Sequence, residues 1–201
     1  MTDRERKKLR SHRRIVEVAA EDIRTYGLGA TGVKAIMQRA GLTHGGFYNH
    51  FPDKTAMIEE AFRLACEYRD DWLADLPAKP SPSDRLQVLA ERYLTREHRD
   101  QPGTGCPFPS LAAEIARESK MIRSVFEHEI NETIRRISEE VAFDDGESAD
   151  RALALLALCV GALTLSRAVV DADLANRILA AASRAAPALQ ESRSNGAFTV
   201  K

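Results

Sequence analysis

The sequence predicts an all-α protein with two domains and a short tail. Apolar residues recur at the spacing of three and four that marks helices along almost the whole chain, and alternating strand patterns are almost absent. The chain has 201 residues, and a helical head of roughly 50 residues leaves enough chain for a second domain with its own core. We therefore expect domains at 1–52 and 53–188, followed by a loose tail at 189–201.

Residues 31–54 have the pattern of two short helices joined by a tight corner. Thr31 is placed to cap the first helix, and Gly41 stands where a left-handed residue commonly ends one. Thr43 is placed to cap the second helix, which Pro52 would end, and Asp53 is placed to cap the helix that follows. The first helix has an apolar stripe made by Val33, Ile36, Met37 and Ala40. This arrangement predicts a helix-turn-helix, and the alternative is a helical corner of the kind found in many all-α proteins.

Two adjacent glycines, Gly45 and Gly46, interrupt the second of these helices. Each costs roughly 1 kcal/mol relative to alanine in a helix interior, and a sequence accepts that cost where another backbone must come close. Polar and aromatic side chains follow at residues 47–51. The pattern predicts a probe for a DNA groove, with Phe47 and Phe51 as core anchors rather than base contacts.

Positive charge is concentrated at the start of the chain. Residues 1–54 contain 11 Lys and Arg against 6 Asp and Glu, a net charge of +5. The whole chain carries −1, so the remainder carries −6. A basic head on an acidic body is expected where one domain contacts phosphates, although a solvated, partly disordered terminus would look similar. The basic residues ahead of and along the first helix are Arg4, Arg6, Lys7, Lys8, Arg10, Arg13 and Arg14.

The segment at 15–62 resembles the DNA-binding domain of the TetR family of transcriptional repressors. Two departures from the family pattern, Tyr26 in place of phenylalanine and Met37 in place of a small residue, lie away from the surface that would face DNA. The features that carry the resemblance are Ile15, Val18, Ala19 and Ile23 in the first helix, Tyr26-Gly27, Ala40-Gly41-Leu42-Thr43, the Gly46-Phe47-Tyr48-x-His50-Phe51 block and Lys54.

The resemblance implies a division of roles on the second helix and the basic terminus. Tyr48, His50 and Lys54 match family positions that commonly hold the DNA backbone, and the basic arm would reach phosphates or the adjacent minor groove. Base reading would fall to His44, the glycine surface and Asn49. The expected DNA-binding residues are Thr31, Lys34, Thr43, His44, Gly45, Gly46, Tyr48, Asn49, His50 and Lys54.

A series of helices is predicted after the head. A proline-containing linker at 77–80 and an irregular stretch at 100–109 separate some of them. The predicted helices are Asp53–Leu76, Ser83–Arg96, Ser110–Arg117, a helix from Met121 to about residue 144, Ser148–Val170 and Leu174–Ala186.

One of these helices contains an uncharged run at 152–165. At 14 residues this run is too short to span a membrane, and a helix that is apolar on all sides must be buried on all sides. A partner chain would cover one side, as the resemblance to TetR proteins implies, since these dimerise through their last two long helices. The alternative is a monomer with a central buried helix. The expected interface residues are Leu153, Leu156, Val160, Leu163, Leu174 and Ile178.

Family analogy also places a small-molecule pocket among the middle helices. An apolar or aromatic effector is the default, because no cluster of charged side chains announces a charged one. Ordinary core packing explains the same residues equally simply. The candidates are Tyr68, Trp72, Tyr93, Cys106, Phe108, Leu111, Phe126 and Cys159.

Three cysteines in a chain without a predicted signal peptide indicate reduced thiols in a cytoplasm. Cys66 and Cys159 have the setting of small core residues. Cys106 follows a glycine- and proline-rich loop that would expose its sulfur near a helix start, so a redox- or electrophile-sensing role is an alternative. No paired spacing of cysteine or histidine indicates a metal site, and no cofactor is expected.

Function classes other than a regulator are weakly supported. No nucleophile elbow, phosphate loop or dinucleotide fingerprint is present, and Cys106 and His98 define no fixed geometry for an enzyme. An RNA-binding or architectural protein would favour a strongly basic chain. We therefore expect a homodimeric, ligand-responsive repressor that binds a palindromic operator, with an activator as the less favoured alternative.

Overall fold

The computed structural model describes residues 1–30, 32–76, 81–141 and 146–190. Within these residues the chain is helical and none lies in a strand, which confirms the all-α prediction. The α-helices in chain order are α1 Asp3–Ala30, α2 Val33–Arg39, α3 Lys54–Cys66, α4 Tyr68–Leu73, α5 Pro82–Tyr93, α6 Arg96–Asp100, α7 Phe108–Ile115, α8 Lys120–Val141, α9 Ser148–Ala168 and α10 Ala172–Ala185. In the described part of the chain, three 3₁₀ helices accompany them at His44–Asn49, Pro102–Thr104 and Ala186–Gln190.

The chain forms two compact units that do not follow the order of the sequence. The first combines Met1–Trp72 with Arg96–Glu132, and the second combines Leu73–Thr95 with Thr133–Lys201. The first unit contains α3 and α7 as well as the N-terminal head. The predicted boundary between a DNA-binding domain and the rest of the chain at residue 52 is therefore a functional division, and it stays a prediction.

The core of the first unit is built on α1, which packs against α3 and α7. The apolar stripe of α1 is buried, with Ile15, Ala19 and Ile23 fully covered. Gly27 interrupts the helix at φ +84° and ψ 171°, a left-handed backbone that glycine adopts without strain. This kink turns the last residues of α1 towards α2.

Helix ends follow the predicted chemistry at several points. Asp53 caps α3 through its side chain, which accepts a hydrogen bond from the N–H of Ala56 at 2.9 Å. Gly41 has φ +72°, as expected after a helix end. At α2 the N-cap residue is Gly32, and the predicted cap Thr31 lies outside the described residues.

The predicted single helix from Asp53 to Leu76 is wrong, because α3 ends at Cys66 and α4 begins at Tyr68. Neither proline nor glycine marks the break. The N–H of Glu67 bonds to the carbonyl of Leu64, three residues back, which tightens the last turn. Tertiary contacts then hold α4, since Arg69 pairs with the buried Glu129 at 2.6 Å.

Other predicted helices differ from the observed ones at their ends. Ser81 caps α5, accepting from the N–H of Asp84 at 3.2 Å, so this helix starts earlier than expected. The short helix α6 lies at the edge of the stretch expected to be irregular. The linker at 77–80, the end of the helix near residue 144 and the tail from 191 lie outside the described residues.

The second unit is held together by α9, which packs against α10 and α5. The uncharged run at 152–165 is part of the 21-residue helix α9, which is long and apolar enough to cross a membrane by length and composition alone, with a mean hydropathy of 1.6 over 18 residues. A core helix passes the same test. The inward face of α9 is buried against its neighbours, and its first turn holds the buried Arg151, paired with Glu147 at 3.2 Å.

Candidate nucleic-acid interface

The segment His44–Asn49 is fixed to the first unit by two aromatic anchors. Phe47 and Phe51 are each 1% exposed, and their rings stack at 5.5 Å. Their predicted role as core anchors is confirmed. Because both rings point inward, the remaining side chains of this segment are directed away from the core.

Most of the predicted probe residues lie together on this outward surface. Tyr48 is 73% exposed, and Thr43, His44, Gly45 and Asn49 are also exposed, whereas Gly46 and His50 are half-buried. Lys34, on α2, is exposed as well. The structure therefore brings hydroxyl, amide and imidazole groups to one surface, which is the mixture that phosphate and base edges require.

The segment is a 3₁₀ helix rather than the α-helix expected from the sequence. The N–H of Gly46 bonds to the carbonyl of Thr43, and the N–H of His50 bonds to that of Phe47. Glycine is the weakest ordinary helix former, so a short, tightly wound segment replaces a regular helix here. Thr43 occupies the N-cap position without a side-chain capping bond. Its predicted capping role is therefore wrong, and its hydroxyl is not committed to the helix end.

No neighbouring atom among the residues that the structure describes requires glycine at either position of the pair. A methyl group at Gly45 would meet no atom within 4 Å, and one at Gly46 would make only ordinary contacts, 3.6 Å from the Thr43 hydroxyl and 3.7 Å from Met37. The internal packing therefore does not explain the pair. Close approach of a molecule outside the chain stays the prediction that the sequence made for it.

A basic cavity lies beside the probe. It has a volume of about 530 Å³ and joins the first turns of α1 to the end of the 3₁₀ segment. The N-terminal residues that the sequence left as arm or solvated tail are helical from Asp3. Regular helix geometry thus places several cations on one side of α1. The residues that line the cavity are Arg4, Lys7, Lys8, Ser11, Asn49 and His50.

His50 is the titratable group at the centre of this region. Burial, the neighbouring His12 and the Lys8 ammonium, in that order, lower the pKa of His50 below its ordinary value. Its Nδ1 is buried and has no hydrogen-bond partner among the described residues. An anion entering the cavity would therefore meet an imidazole whose protonated form it stabilises.

His12 is a residue of this region that sequence reasoning missed. It stacks on Phe51 with ring centroids 4.5 Å apart, and its Nε2 lies 2.7 Å from a carboxylate oxygen of Glu60. It therefore ties α1 to α3 directly behind His50. The sequence signal for this role is the position of His12 on α1, three residues before the buried Ile15, which puts both residues on the same face of the helix.

Lys54 has a structural partner as well as its predicted DNA role. Its Nζ donates a hydrogen bond to the carbonyl oxygen of Leu28 at 3.1 Å. Arg39 makes a related tie, since its guanidinium pairs with the buried Asp22 and lies 3.1 Å from Glu21. These bonds fasten α2 and α3 to α1, so the frame that carries the probe is preassembled.

The predicted effector residues are divided between the two units. Tyr93 and Cys159 belong to the second unit, where both are fully buried, and the other six belong to the first. Phe108 and Phe126 pack together at 5.3 Å, and Phe62, which sequence reasoning missed, joins them at 6.3 and 5.6 Å. The hydroxyl of Tyr68 lies 3.3 Å from His98. Trp72 and Leu111 are also buried, which is the pattern of packed core.

Cys106 is not the exposed thiol that the sequence predicted. It is 6% exposed, and its backbone N–H donates to Nε2 of His98 at 2.9 Å. The His98 ring in turn fills the space beside Gly105. Cys66 and Cys159 are buried as predicted, and burial raises the pKa of the Cys66 thiol. Among the described residues, no group of three or more His, Cys, Asp or Glu could hold a metal ion.

The expected dimer residues divide into two sets. Leu156 and Leu163 are 4% and 0% exposed, so the expectation that they contact a partner is wrong, because they fill the core of their own unit. Leu153 and Leu174 are 48% and 41% exposed. Val160 and Ile178 are half-buried.

Comparisons with known proteins agree with this geometry. Residues 15–61 match the family model for bacterial regulatory proteins of the tetR family. The HTH-type transcriptional repressor KstR2 of Mycobacterium tuberculosis is 38% identical over 80 residues, which are 37% of this chain and 38% of that protein. The HTH-type transcriptional regulator AcrR of Shigella flexneri is 32% identical over 90 residues, 45% of this chain and 40% of that protein. The chain thus spans about two fifths of the length of the curated relatives it matches.

Solved structures show the same fold over most of the chain. A TetR transcriptional regulator from Chloroflexus aurantiacus superposes with a TM-score of 0.74 at 24% identity, covering 90% of this chain and 96% of that one. A TetR-family regulator from Cytophaga hutchinsonii gives a TM-score of 0.74 at 20% identity, with coverages of 89% and 94%. A helix-turn-helix unit within an all-α chain of this fold defines the class. Residues 15–61 thus match the tetR family of bacterial regulatory proteins, and over 90% of its length the chain shares the fold of a TetR regulator.

Proposed function

We propose that the protein is a transcriptional repressor, and not an enzyme, that binds a palindromic operator in the cytoplasm as a homodimer. The observation that carries this proposal is the surface formed by the 3₁₀ segment His44–Asn49 and the basic turns of α1. It combines cations for phosphates with exposed donors and acceptors for base edges. Two glycines that the chain itself does not need lie at its centre.

Phosphate contacts are assigned to the cavity beside the probe and to the residues around it. Lys7, Lys8 and His50 line the cavity, Tyr48 lies within the 3₁₀ segment, and Lys54 begins α3 after it. Base reading is assigned to His44, Asn49 and the backbone of the glycine pair. Phosphate contacts set the register of the protein on DNA, and the base contacts carry the sequence preference.

The homodimer is supported by an apolar stripe that α9 leaves uncovered. Leu153 and Leu165 are 48% and 60% exposed, and between them Ala157 and Gly161 are also exposed. The four residues recur at intervals of four, so they form one face of the helix. Small residues within the stripe allow another helix to come close. A two-fold dimer places two probes against two half-sites about one DNA turn apart.

The regulatory step is a population shift between DNA-binding and DNA-free conformations. A small-molecule effector in the helical body releases the operator only to the extent that it binds the DNA-free conformation more tightly than the DNA-binding one. The interruption between α3 and α4 at Glu67 means that no single rigid helix carries this signal from the head. The alternatives of an activator and of sensing through Cys106 receive no support from a specific observation, and the burial of Cys106 opposes the latter.

The proposal is tested by measuring DNA binding with an operator selected from random sequence. A repressor of this kind binds the selected DNA far more tightly than a scrambled duplex, and the affinity falls steeply with salt. Substitution of Asn49 by Ala should reduce this preference, whereas Lys7→Ala should weaken binding to both duplexes alike. Equal affinity of the native protein for both duplexes overturns the proposal.

A further inference from the structure

The first unit contains a groove whose lining shares no residue with the DNA-binding surface. It lies between α7 and the first turns of α8 and has a volume of about 590 Å³. Ile115, Phe126 and Ile130 form an apolar floor. Two exposed cations, Lys120 and Arg123, also line it, together with one exposed carboxylate, Glu127. The volume lies within the range of small-molecule sites.

We propose that this groove binds an amphipathic organic anion, an alkyl or aryl carboxylate, and that Glu114 transmits its binding to the DNA-binding head. The apolar floor accepts the hydrocarbon part, which removes apolar surface from water. The two cations face the carboxylate, and a guanidinium such as that of Arg123 can bind it through two parallel hydrogen bonds. The Glu127 carboxylate repels a ligand that carries negative charge along its whole length, so the site favours one with a single anionic end. The coupling part of this inference rests on the proposed function.

Glu114 lies on α7, directly before the floor residue Ile115. Its carboxylate accepts hydrogen bonds from the backbone N–H of Leu28 at 2.9 Å and of Gly29 at 3.3 Å. These N–H groups are freed from the helix pattern by the kink at Gly27. A side chain at Gly27 would collide with the Glu114 carboxylate, so the glycine also makes room for this contact. Glu114 is therefore a positioning residue at the junction between α1 and α2.

Movement of α7 breaks this contact readily. The helix is only eight residues long, and both hydrogen bonds come from one side chain. A ligand that wedges into the groove moves the C-terminal end of α7 away from α8 and withdraws the carboxylate. Loss of these bonds leaves two backbone donors unpaired, so the segment leading to α2 changes conformation.

The binding part is tested by calorimetry on the full chain with decanoate as the probe. We expect decanoate to bind, decanol to bind more weakly, and Arg123→Glu to weaken decanoate binding by roughly tenfold or more through charge reversal. Arg117→Glu is the matched control, since this exposed arginine follows α7 and does not line the groove. Absence of decanoate binding overturns the site. So does binding that Arg123→Glu and Arg117→Glu leave equally unchanged, or a groove covered by a second copy of the chain.

The coupling part is tested by hydrogen exchange, which needs no DNA. Decanoate should speed exchange of the Leu28 and Gly29 amides in the native protein, and Glu114→Ala should show the fast exchange without ligand while binding decanoate normally. On the selected operator, decanoate should lower the affinity of the native protein but not that of Glu114→Ala. Unchanged amide exchange on decanoate binding overturns the coupling. If the protein binds no DNA but exchange responds, the proposed function fails and this inference stands.

Discussion

The Lys54 ammonium donates a hydrogen bond to the backbone carbonyl of Leu28 at 3.1 Å. The backbone N–H of Leu28 donates a second hydrogen bond, to the Glu114 carboxylate, at 2.9 Å. Leu28 is therefore held by a cation on its carbonyl and an anion on its N–H. This residue lies at the turn from α1 to α2, so both bonds fix where the helix-turn-helix begins.

Lys54 should affect both stability and DNA binding. Lys54→Met removes the bond to Leu28 and should lower the free energy of unfolding by about 1 kcal/mol, as expected for a hydrogen bond from a charged donor that is partly exposed. If Lys54 also holds a phosphate, the variant should show a slope of log binding constant against log salt concentration that is smaller in magnitude by about one. Lys34→Met is the matched variant: its side chain is exposed, so it should lower the slope without loss of stability. If the salt dependence of DNA binding is unchanged in Lys54→Met, this lysine contacts no phosphate and acts only through its hydrogen bond to Leu28.

The glycine pair should be dispensable for folding and necessary for binding. Gly45→Ala places a methyl group in open space, and alanine is the better helix former, so the melting temperature should stay the same or rise. Specific operator affinity should fall at least roughly tenfold, because the methyl group blocks close approach to DNA. Gly29→Ala adds the same group in open space away from the probe and should retain affinity. Full affinity of Gly45→Ala would contradict the close-approach argument.

DNA binding should strengthen as the pH falls. The pKa of His50 is lowered in the free protein from its ordinary value of 6.5. A phosphate in the cavity stabilises the imidazolium and raises that pKa, so binding takes up a proton. The gain in affinity is complete below the pKa of the free protein and is lost as the pH rises through the pKa of the complex. Fluorescence titrations between pH 5 and 8 test this, with His50→Gln as the variant that should lose this component. Identical pH profiles for both proteins would rule out His50 as its source.

The two faces of α9 should respond differently to substitution. Leu153→Asp places a charge on the exposed stripe and should convert the dimer to monomers that remain folded, as measured by light scattering and circular dichroism. Leu156→Ala empties a buried position and should destabilise the fold by about 2–5 kcal/mol. A Leu153→Asp protein that stays dimeric would place the interface elsewhere.

The thiols of the native protein should resist modification. Cys66, Cys106 and Cys159 are all buried, and a reagent reaches them only when the chain opens locally. Labelling followed by mass spectrometry should therefore show slow reaction at every site until denaturant is added. Fast reaction confined to Cys106 would revive the sensing alternative.

The sequence predicted the parts of the fold that depend on local chemistry. The buried stripe of α1, the left-handed Gly41 and the Asp53 cap follow from residue type and spacing alone. The break at Glu67 has no local signal, because it is set by contacts of α4 with residues far along the chain. The same reason explains why Glu114, 86 residues from Leu28, could not be assigned.

The sequence also could not determine which side of an evenly apolar helix faces the core. Helix α9 is apolar on all sides, so periodicity does not separate the buried Leu156 and Leu163 from the exposed Leu153. For the probe, a proline and a cap position indicated a helix, but the glycine pair favoured a tighter winding. The exposure of His44, Gly45, Tyr48 and Asn49 was nonetheless predictable, because the aromatic anchors Phe47 and Phe51 fix which side faces the core.

Sequence-specific DNA binding can be measured by selecting DNA from a random pool with the 201-residue chain and then determining the salt dependence of binding to the enriched sequence. We expect a palindrome bound by one or more dimers, with affinity that falls steeply as salt rises and that is lost on a scrambled duplex. A folded protein that enriches no sequence at low salt, with or without an added metabolite extract, would contradict this expectation.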